Sequence, residues 1–305
     1  MGLTGFILKL GAIPIIPRKR VRVVVYTVIA VISIIIVQYI FPDRKILPEF
    51  INSLGAMRVL AVFLAALFCE YIDSSLGMGY GTTLTPLLIL SGFEPIKIVP
   101  CVLLSEFITG ISATLMHHRD GNVNFIHDHQ ARATALWLSL LSVVGAVSAA
   151  IFAIKISKSL LEVIIGIIVL SVGIITLATV RHQLKYRRGH MIVLGLVAAF
   201  NKGISGGGYG PLVTAGQVVS GLVPKKAVAI TSFAESLVCI VGLTTYMIIQ
   251  KNLYWALAIP ICLGAVLSVP LATLTVRHLS DRSMRVSVGV VACVLGIFLF
   301  VKMLL

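Results

Sequence analysis

The chain has 305 residues, of which 58% are hydrophobic and 12% are charged, and its formal net charge is +14. Soluble domains contain about 25% charged residues, so this apolar excess excludes an ordinary soluble protein and indicates a lipid bilayer as the surroundings. The basic residues form short clusters between apolar runs, which is typical of membrane-protein loops and unlike a nucleic-acid-binding face. We therefore expect no nucleic-acid partner.

The first predicted element is a membrane-spanning helix at residues 21–41. As a helix this run is about 31 Å long, which matches a bilayer core and exceeds the apolar region of a signal peptide. Basic residues precede it, so residues 1–20 are expected to be cytoplasmic or to lie at the membrane interface. The sequence thus predicts an N-terminal transmembrane helix in addition to the two repeats described below.

Six further full-length apolar runs follow, together with two pairs of shorter ones. Because a straight span needs about 20 residues, each short pair is predicted to be a broken helix or a re-entrant hairpin. Irregular backbone at membrane depth is tolerated only where it is buried in protein or lines a wet cavity. The full-length runs are 98–117, 133–154, 160–180, 227–249, 254–276 and 286–304, and the short pairs are 58–76 with 79–92 and 191–204 with 206–220.

The chain divides into two related halves. The first transmembrane repeat covers residues 58–180, a basic cytoplasmic linker covers 181–190, and the second repeat covers 191–304. Placing the N-terminus inside puts most lysines and arginines on the inner side of the membrane. In that topology one repeat starts outside and the other inside. We therefore predict an all-α polytopic protein of the inner (cytoplasmic) membrane, built from two inverted repeats with broken or re-entrant helices.

A glycine-rich segment at the break of the first short pair recurs in the second, at an offset of 129 residues and without a gap. Gly77–Gly81 reads Gly-Met-Gly-Tyr-Gly, and Gly206–Gly210 reads Gly-Gly-Gly-Tyr-Gly. Such a break in corresponding positions of two apolar halves is the best sequence indication of a transporter's binding site.

Glycine lets main-chain N–H groups face a ligand, and the helix that follows presents a positive dipole end, which favours an anion. The alternative is a small-residue surface for helix packing. The predicted substrate-binding residues are Gly77, Met78, Gly79, Tyr80, Gly81, Thr82, Thr83, Asn201, Lys202, Ser205, Gly206, Gly207, Gly208, Tyr209 and Gly210. The two tyrosines either offer hydroxyls to the substrate or are packing residues.

Four of the ionisable residues in apolar sequence near these breaks are candidates for the site. Glu106 and Glu235 occupy corresponding positions of the two halves. A charge at this depth is costly, so each carboxyl group pairs, accepts hydrogen bonds or stays protonated. We predict a proton-coupling or cavity-shaping role for both and for Asp73, with a structural hydrogen bond as the alternative. Lys202 corresponds to Asp73, and it either binds the anion, pairs with Asp73 or extends to the interface.

The remaining candidates are expected to be structural. His117, His118, His127 and His129 flank one predicted loop, which we interpret as solvated rather than as a metal site. The five cysteines are single residues in apolar runs, typical of small core residues. The sequence contains neither a P-loop nor an HExxH motif, so we expect no cofactor and no enzymatic activity.

The paired segments Gly77–Gly81 and Gly206–Gly210, in two halves of a basic apolar chain, resemble the TauE/SafE sulfite exporter family, also called the toluene-sulfonate uptake permease family. The resemblance covers about residues 58–304. It implies transport of sulfite or organosulfonates. We therefore expect a secondary transporter that exports small sulfur-containing anions by alternating access, with proton coupling as an option. The alternatives are a passive anion channel and a carrier for another small carboxylate or oxyanion.

Overall fold

The structure is a computed structural model, which describes residues 18–40, 47–77, 79–180, 188–219, 222, 224–275 and 281–304. Within these ranges every regular element is an α-helix. The helices are α1 (Arg18–Ile40), α2 (Glu49–Asn52), α3 (Ala56–Leu76), α4 (Tyr80–Leu90), α5 (Pro95–Arg119), α6 (His129–Lys155), α7 (Lys158–Thr179), α8 (Arg188–Ser205), α9 (Tyr209–Val219), α10 (Pro224–Gln250), α11 (Trp255–Thr275) and α12 (Asp281–Leu304).

Seven helices among the described residues are long and apolar enough to cross a membrane. They are α1, α3, α5, α6, α7, α10 and α11, and they confirm an all-α polytopic membrane protein. The predicted N-terminal helix is present at Arg18–Ile40, whereas residues 1–17 lie outside the described residues. The short helix α4 has 11 residues, about half of what a straight span needs.

The second short pair begins earlier than its apolar run. Helix α8 starts at Arg188 instead of residue 191, so it extends into the predicted basic linker. The three residues that the helix adds are Arg188, Gly189 and His190, which lie before the apolar run. Residues 181–187 of that linker lie outside the described residues. Helix α9 is as short as α4, with 11 residues.

The helices from α3 onward form two sets of five, α3–α7 and α8–α12, and helices of one set pack on helices of the other. Helix α3 packs along α11, and its counterpart α8 packs along α6. In the same way α5 contacts α11 while α10 contacts α6, and the counterparts α5 and α10 contact each other. The principal partner of each of these long helices therefore belongs to the other set. The inverted orientation of the two repeats across the membrane stays a prediction.

Glycines allow these paired helices to approach closely. A Cβ atom on Gly264 of α11 would overlap the carbonyl oxygen of Phe63 of α3. At the counterpart crossing of α6 and α8, a Cβ on Gly145 would lie 2.7 Å from the carbonyl oxygen of Leu196. Without a hydrophobic driving force between helices in lipid, such small-residue contacts stabilise association through van der Waals packing.

Candidate functional site

The two glycine-rich breaks lie directly against each other. A Cβ atom on Gly81 would overlap the carbonyl oxygen of Gly206 and would lie 2.7 Å from the Cα of Gly207. A Cβ on Gly207 would in turn lie 2.5 Å from the carbonyl carbon of Gly81. Only glycine fits at either position. The segments singled out by their duplication are therefore in contact, and the contact is backbone against backbone.

Each break also packs against a threonine of the other half. Gly77 and Gly206 both adopt a positive φ, 68° and 71°, which glycine adopts without strain. A Cβ on Gly77 would lie 2.7 Å from Thr214 Oγ1, and one on Gly206 would lie 3.1 Å from Thr85 Oγ1. Thr85 and Thr214 are themselves counterparts at the 129-residue offset. As with the long helices, each break therefore packs against the other half.

The two threonines differ in their hydrogen bonds. The Thr214 hydroxyl donates to the carbonyl oxygen of Gly77 at 3.0 Å and lies 2.9 Å from the hydroxyl of Thr231. Thr231 accepts a hydrogen bond from Gln217 Nε2 at 2.8 Å. The Thr85 hydroxyl is buried and forms no hydrogen bond within the described part of the chain. One break is therefore tied to the opposite half by a hydrogen bond, while the other is held by packing.

We expect Thr214→Val to lower the free energy of unfolding by about 1–3 kcal/mol, because it leaves the buried Gly77 carbonyl without this donor. Thr85→Val is the matched control and is expected to be neutral or stabilising, since the lost hydroxyl had no partner. Thermal unfolding of both variants in detergent measures the difference. Equal losses in the two variants would contradict the hydrogen bond to Gly77.

A buried ammonium group lies between two carboxylates beside the second break. The Nζ atom of Lys202 forms ion pairs with Glu106 Oε2 and with Glu235 Oε1, the latter at 2.6 Å. The Lys202 side chain is 1% exposed. Lys202 lies in the last turn of α8, whereas the two glutamates lie near the midpoints of α5 and α10. We call these three residues the Lys202 triad, and it joins helices of both halves.

The ion-pair partners of Lys202 in the structure differ from the partner that the sequence analysis considered for it. Extension to the membrane interface is excluded by its burial, and among the described residues its ion pairs are with Glu106 and Glu235 and not with Asp73. For the glutamates, pairing is the option that the structure forms. Breaking such a buried pair on one side leaves an uncompensated charge, which is strongly destabilising.

Asp73 occupies in the first half the position that Lys202 occupies in the second. Both helices end alike, because the N–H of Gly77 donates to the Asp73 carbonyl and the N–H of Gly206 donates to the Lys202 carbonyl. The Asp73 carboxylate accepts a hydrogen bond from the N–H of Tyr80 at 3.4 Å, at the N-terminus of α4. The helix dipole favours a negative charge there. The corresponding residue before α9 is the cation Lys202, whose ammonium group pairs with Glu106 and Glu235.

A third buried glutamate, Glu70 of α3, was not among the residues predicted from the sequence. It is 1% exposed, and its Oε1 accepts a hydrogen bond from the Ser74 hydroxyl at 2.6 Å. Its Oε2 forms no hydrogen bond with any described residue. The sequence does contain a signal for Glu70, because it is an acidic residue within the apolar run 58–76. Carboxyl groups inside membrane spans are rare and costly.

A cavity of about 10 Å³, room for about one water molecule, lies between the acidic side chains. The face of α5 predicted to carry Glu106 with Thr109, Gly110 and Ala113 does line it. Besides these four residues of α5, the wall contains residues of two other helices. They are Glu70, Asp73 and Ser74 of α3, and Ser232 and Glu235 of α10. The cavity is thus lined by four carboxyl groups, two of which pair with Lys202.

The other predicted site residues are engaged in local contacts. The Tyr80 hydroxyl lies 2.8 Å from Ser105 Oγ, and the Tyr209 hydroxyl lies 3.3 Å from Ser142 Oγ. Both tyrosines are fully buried, so the structure forms the packing alternative for them.

Around the breaks, the Thr83 hydroxyl donates to the carbonyl oxygen of Gly79, and Thr82 is buried without a hydrogen bond of its hydroxyl to any described residue. Ser205 Oγ donates to the Asn201 carbonyl at 2.8 Å and accepts from the N–H of Gly207 at 3.1 Å. The remaining members are Gly208, which lies against the Asn201 side chain, Gly210, which is buried, and Met78, which lies outside the described residues.

The prediction that the histidines flank a solvated loop is wrong for His117. This residue is fully buried in the last turn of α5. Its Nδ1 lies 2.9 Å from Asn122 Nδ2, which also donates to the carbonyl oxygen of Thr273 at 3.2 Å. The loop after α5 folds back over the ring, so burial follows from the loop's contact with α11. Among the described residues no group of three or more His, Cys, Asp or Glu is arranged to hold a metal ion.

A family model described as "Sulfite exporter TauE/SafE" matches residues 62–299. Over 246 residues the chain is 27% identical to the "Probable membrane transporter protein YtnM" of Bacillus subtilis (strain 168). The aligned region covers 76% of this chain and 80% of that protein. No solved structure matches. The matched region runs from α3 into α12, so α1 lies outside it.

Proposed function

This chain belongs to the sulfite exporter TauE/SafE family, and from that premise we propose that it is a secondary carrier that exports small sulfur-containing anions. Sulfite and organosulfonates are the substrate class, and the cytoplasmic membrane, with the N-terminus inside, is the location. The observation that carries the proposal is the Lys202 triad, a single buried ammonium group where the two halves meet. The chain is a multi-pass membrane transporter, and the absence of enzymatic activity is part of the proposal.

Lys202 is the group that we assign to the substrate. In the first half, Asp73 supplies a carboxylate to the N-terminus of α4. In the second half the corresponding residue is Lys202, so an anion bound between its ammonium group and the N-terminus of α9 would take the place that the Asp73 carboxylate has at α4. A helix N-terminus and a nearby cation both favour an oxyanion. Sulfite and sulfonate groups have this chemistry.

Charge balance links anion binding to protons. Glu70, Asp73, Glu106 and Glu235 outnumber the single Lys202, and burying uncompensated charge is costly. An arriving anion displaces a carboxylate of the Lys202 triad from the ammonium. That carboxylate then takes up a proton, because it has lost its counter-charge. In this scheme substrate and proton are bound together, and a high internal concentration of the anion drives its export.

The packing of the two breaks supports a carrier more than an open channel. The Lys202 side chain is 1% exposed and the neighbouring cavity holds about one water molecule, so the site is closed in this conformation. Substrate entry therefore requires the two breaks to separate. Alternating access in inverted-repeat carriers occurs by movement of one repeat against the other around a central site.

The test is transport by the purified full chain in liposomes, with labelled sulfite or sulfoacetate outside and unlabelled anion inside. A carrier accumulates label transiently by counterflow and saturates with substrate, whereas a passive channel does neither. Acetate and sulfate serve as the competing carboxylate and oxyanion. Saturable counterflow of a sulfur anion is the expected result, and non-saturating flux would indicate the channel instead.

A further inference from the structure

We propose that Glu70 carries the coupling proton, and that a file of side chains from Glu70 through Ser74 to His117 connects it with the loop after α5. This inference rests on the proposed carrier function and adds a proton site that is separate from the substrate cation Lys202. It is built on α3 and α5, that is, on the first half alone. The second half supplies the anion-binding ammonium.

Two carboxyl oxygens that lack hydrogen-bond partners among the described residues belong to side chains lining the same cavity. Glu70 Oε2 and Glu106 Oε1 are both buried and form no hydrogen bond with any described residue. Both side chains line the same cavity, which has room for about one water molecule. A buried carboxyl oxygen without a partner costs free energy unless a proton or a water satisfies it. One water bridging the two groups allows a proton on Glu70 to reach Glu106.

Glu106 is also the partner of Lys202, so the bridge ends at the substrate site. When an anion displaces Glu106 from Lys202, the freed carboxylate takes the proton from Glu70. The O–H bond of Glu70 breaks, the proton passes through the water, and a new O–H bond forms on Glu106. Glu70 is left as a carboxylate that must be recharged.

The recharging route follows Ser74 to His117. The Ser74 hydroxyl donates to Glu70 Oε1 at 2.6 Å. The buried ring of His117 lies beside the backbone of the same serine, although its Nε2 forms no hydrogen bond with any described residue. His117 follows Ala113 by four residues and Glu106 by eleven, so the three residues lie on the same face of α5. Ser74 thus lies between the two ends of the route, with its hydroxyl on Glu70 and its backbone beside His117.

The tautomer of His117 suits this transfer. The Asn122 amide donates to Nδ1, so the ring proton resides on Nε2. When the amide turns away, Nδ1 accepts a proton from the loop side, and Nε2 releases its proton to the Ser74 hydroxyl. Ser74 at the same time passes its own proton to the Glu70 carboxylate. The ring, now protonated on Nδ1, regains its starting tautomer by proton exchange with water on the loop side, in which Nε2 gains a proton and Nδ1 loses one.

The charged groups around the route come from every neighbouring element. Helix α3 contributes Asp73 beside Glu70, and α10 contributes Glu235 at the cavity wall. Helix α8 contributes Lys202 through its pairing with Glu106. Near His117 the loop contributes Asp120, which accepts a hydrogen bond from Thr273 of α11 at 3.0 Å. Lys202 favours the charged form of the carboxyl groups, while the neighbouring acids oppose it.

The experiment compares two transport modes of the full chain in liposomes with Glu70→Gln, which keeps the shape of the side chain and its acceptor for Ser74. We expect sulfite uptake driven by a pH gradient to fall by roughly a hundredfold, the scale of a lost proton-transfer group. Counterflow at equal pH is expected to stay within about twofold, because it needs no net proton movement. Glu94→Gln, an exposed surface acid, is the matched control and is expected to change neither mode.

A readout without substrate keeps this inference separate from the carrier proposal. The infrared C=O band of protonated carboxyl groups in the purified protein is expected to lose intensity in Glu70→Gln. Persistence of the whole band in that variant, or full pH-driven uptake, would overturn the proton role of Glu70. Loss of both transport modes in a folded Glu70→Gln protein would place Glu70 in the substrate site and overturn it as well. A wild-type protein that transports no sulfur anion but shows the Glu70 band would refute the carrier substrate alone.

His117→Gln tests the route. We expect it to slow pH-driven uptake by roughly tenfold or more while leaving counterflow unchanged, because only the refilling of Glu70 is affected. Unchanged pH-driven uptake in this variant would remove His117 from the route.

Discussion

Lys202→Met is expected to destabilise the folded protein by about 3–5 kcal/mol and to abolish binding of the sulfur anion. The side chain is 1% exposed and is the cation that pairs with both Glu106 and Glu235. Methionine has a similar length and fills the space, so the loss comes from charge and not from a cavity. Two buried carboxylates then lack a cation, and the substrate lacks the ammonium assigned to it. Thermal unfolding with and without sulfite measures both effects.

A compensated variant separates folding from binding. In Lys202→Met with Glu106→Gln and Glu235→Gln, no uncompensated charge remains in the Lys202 triad. Neutral replacement of a complete buried ion-pair network is often neutral or stabilising, so we expect most of the lost stability to return. Anion binding is expected to stay absent, because a ligand that no longer binds the folded state cannot raise its apparent stability. A sulfite-induced shift in this triple variant would remove Lys202 from the substrate site.

Alanine at Gly81 or Gly207 is expected to have the second large effect, a loss of folded protein greater than the roughly 1–3 kcal/mol of ordinary overpacking. Each added methyl group would meet the backbone of the opposite break, which cannot move aside as a flexible side chain would. The contact between the two breaks is therefore expected to open. Folded yield by size-exclusion chromatography and thermal unfolding in detergent measure the loss.

Gly195→Ala is the matched control for these variants. It adds the same methyl group to a helical glycine, but its Cβ would lie 3.5 Å from Leu138 Cδ2, an ordinary van der Waals distance. We expect it to fold like the wild type. The double variant Gly81→Ala, Gly207→Ala is expected to lose less stability than the two single variants added together, because both methyl groups open the same contact. Strict additivity of the two losses would show that the breaks do not pack on each other.

The helices and the correspondence between the two halves follow from local sequence alone. Apolar runs of span length leave little choice of conformation in lipid, because only a helix satisfies every backbone group within one segment. The gapless offset between Tyr80–Leu90 and Tyr209–Val219 likewise identifies the two short helices as counterparts before any contact is known. Ionisable residues inside apolar runs indicated the candidate site, because burying charge is costly.

Which side chains meet depends instead on how the helices pack. Lys202 lies far along the chain from Glu106, and their pairing depends on how α8 and α5 pack against each other. The same holds for Glu70, which reaches the cavity because α3, α5 and α10 converge there, and for His117, which is buried by a loop that folds back towards α11. Helix formation is a local property of a sequence in lipid. The partner of a buried charge is set by which helices cross and at what height, and that is decided by packing over the whole molecule.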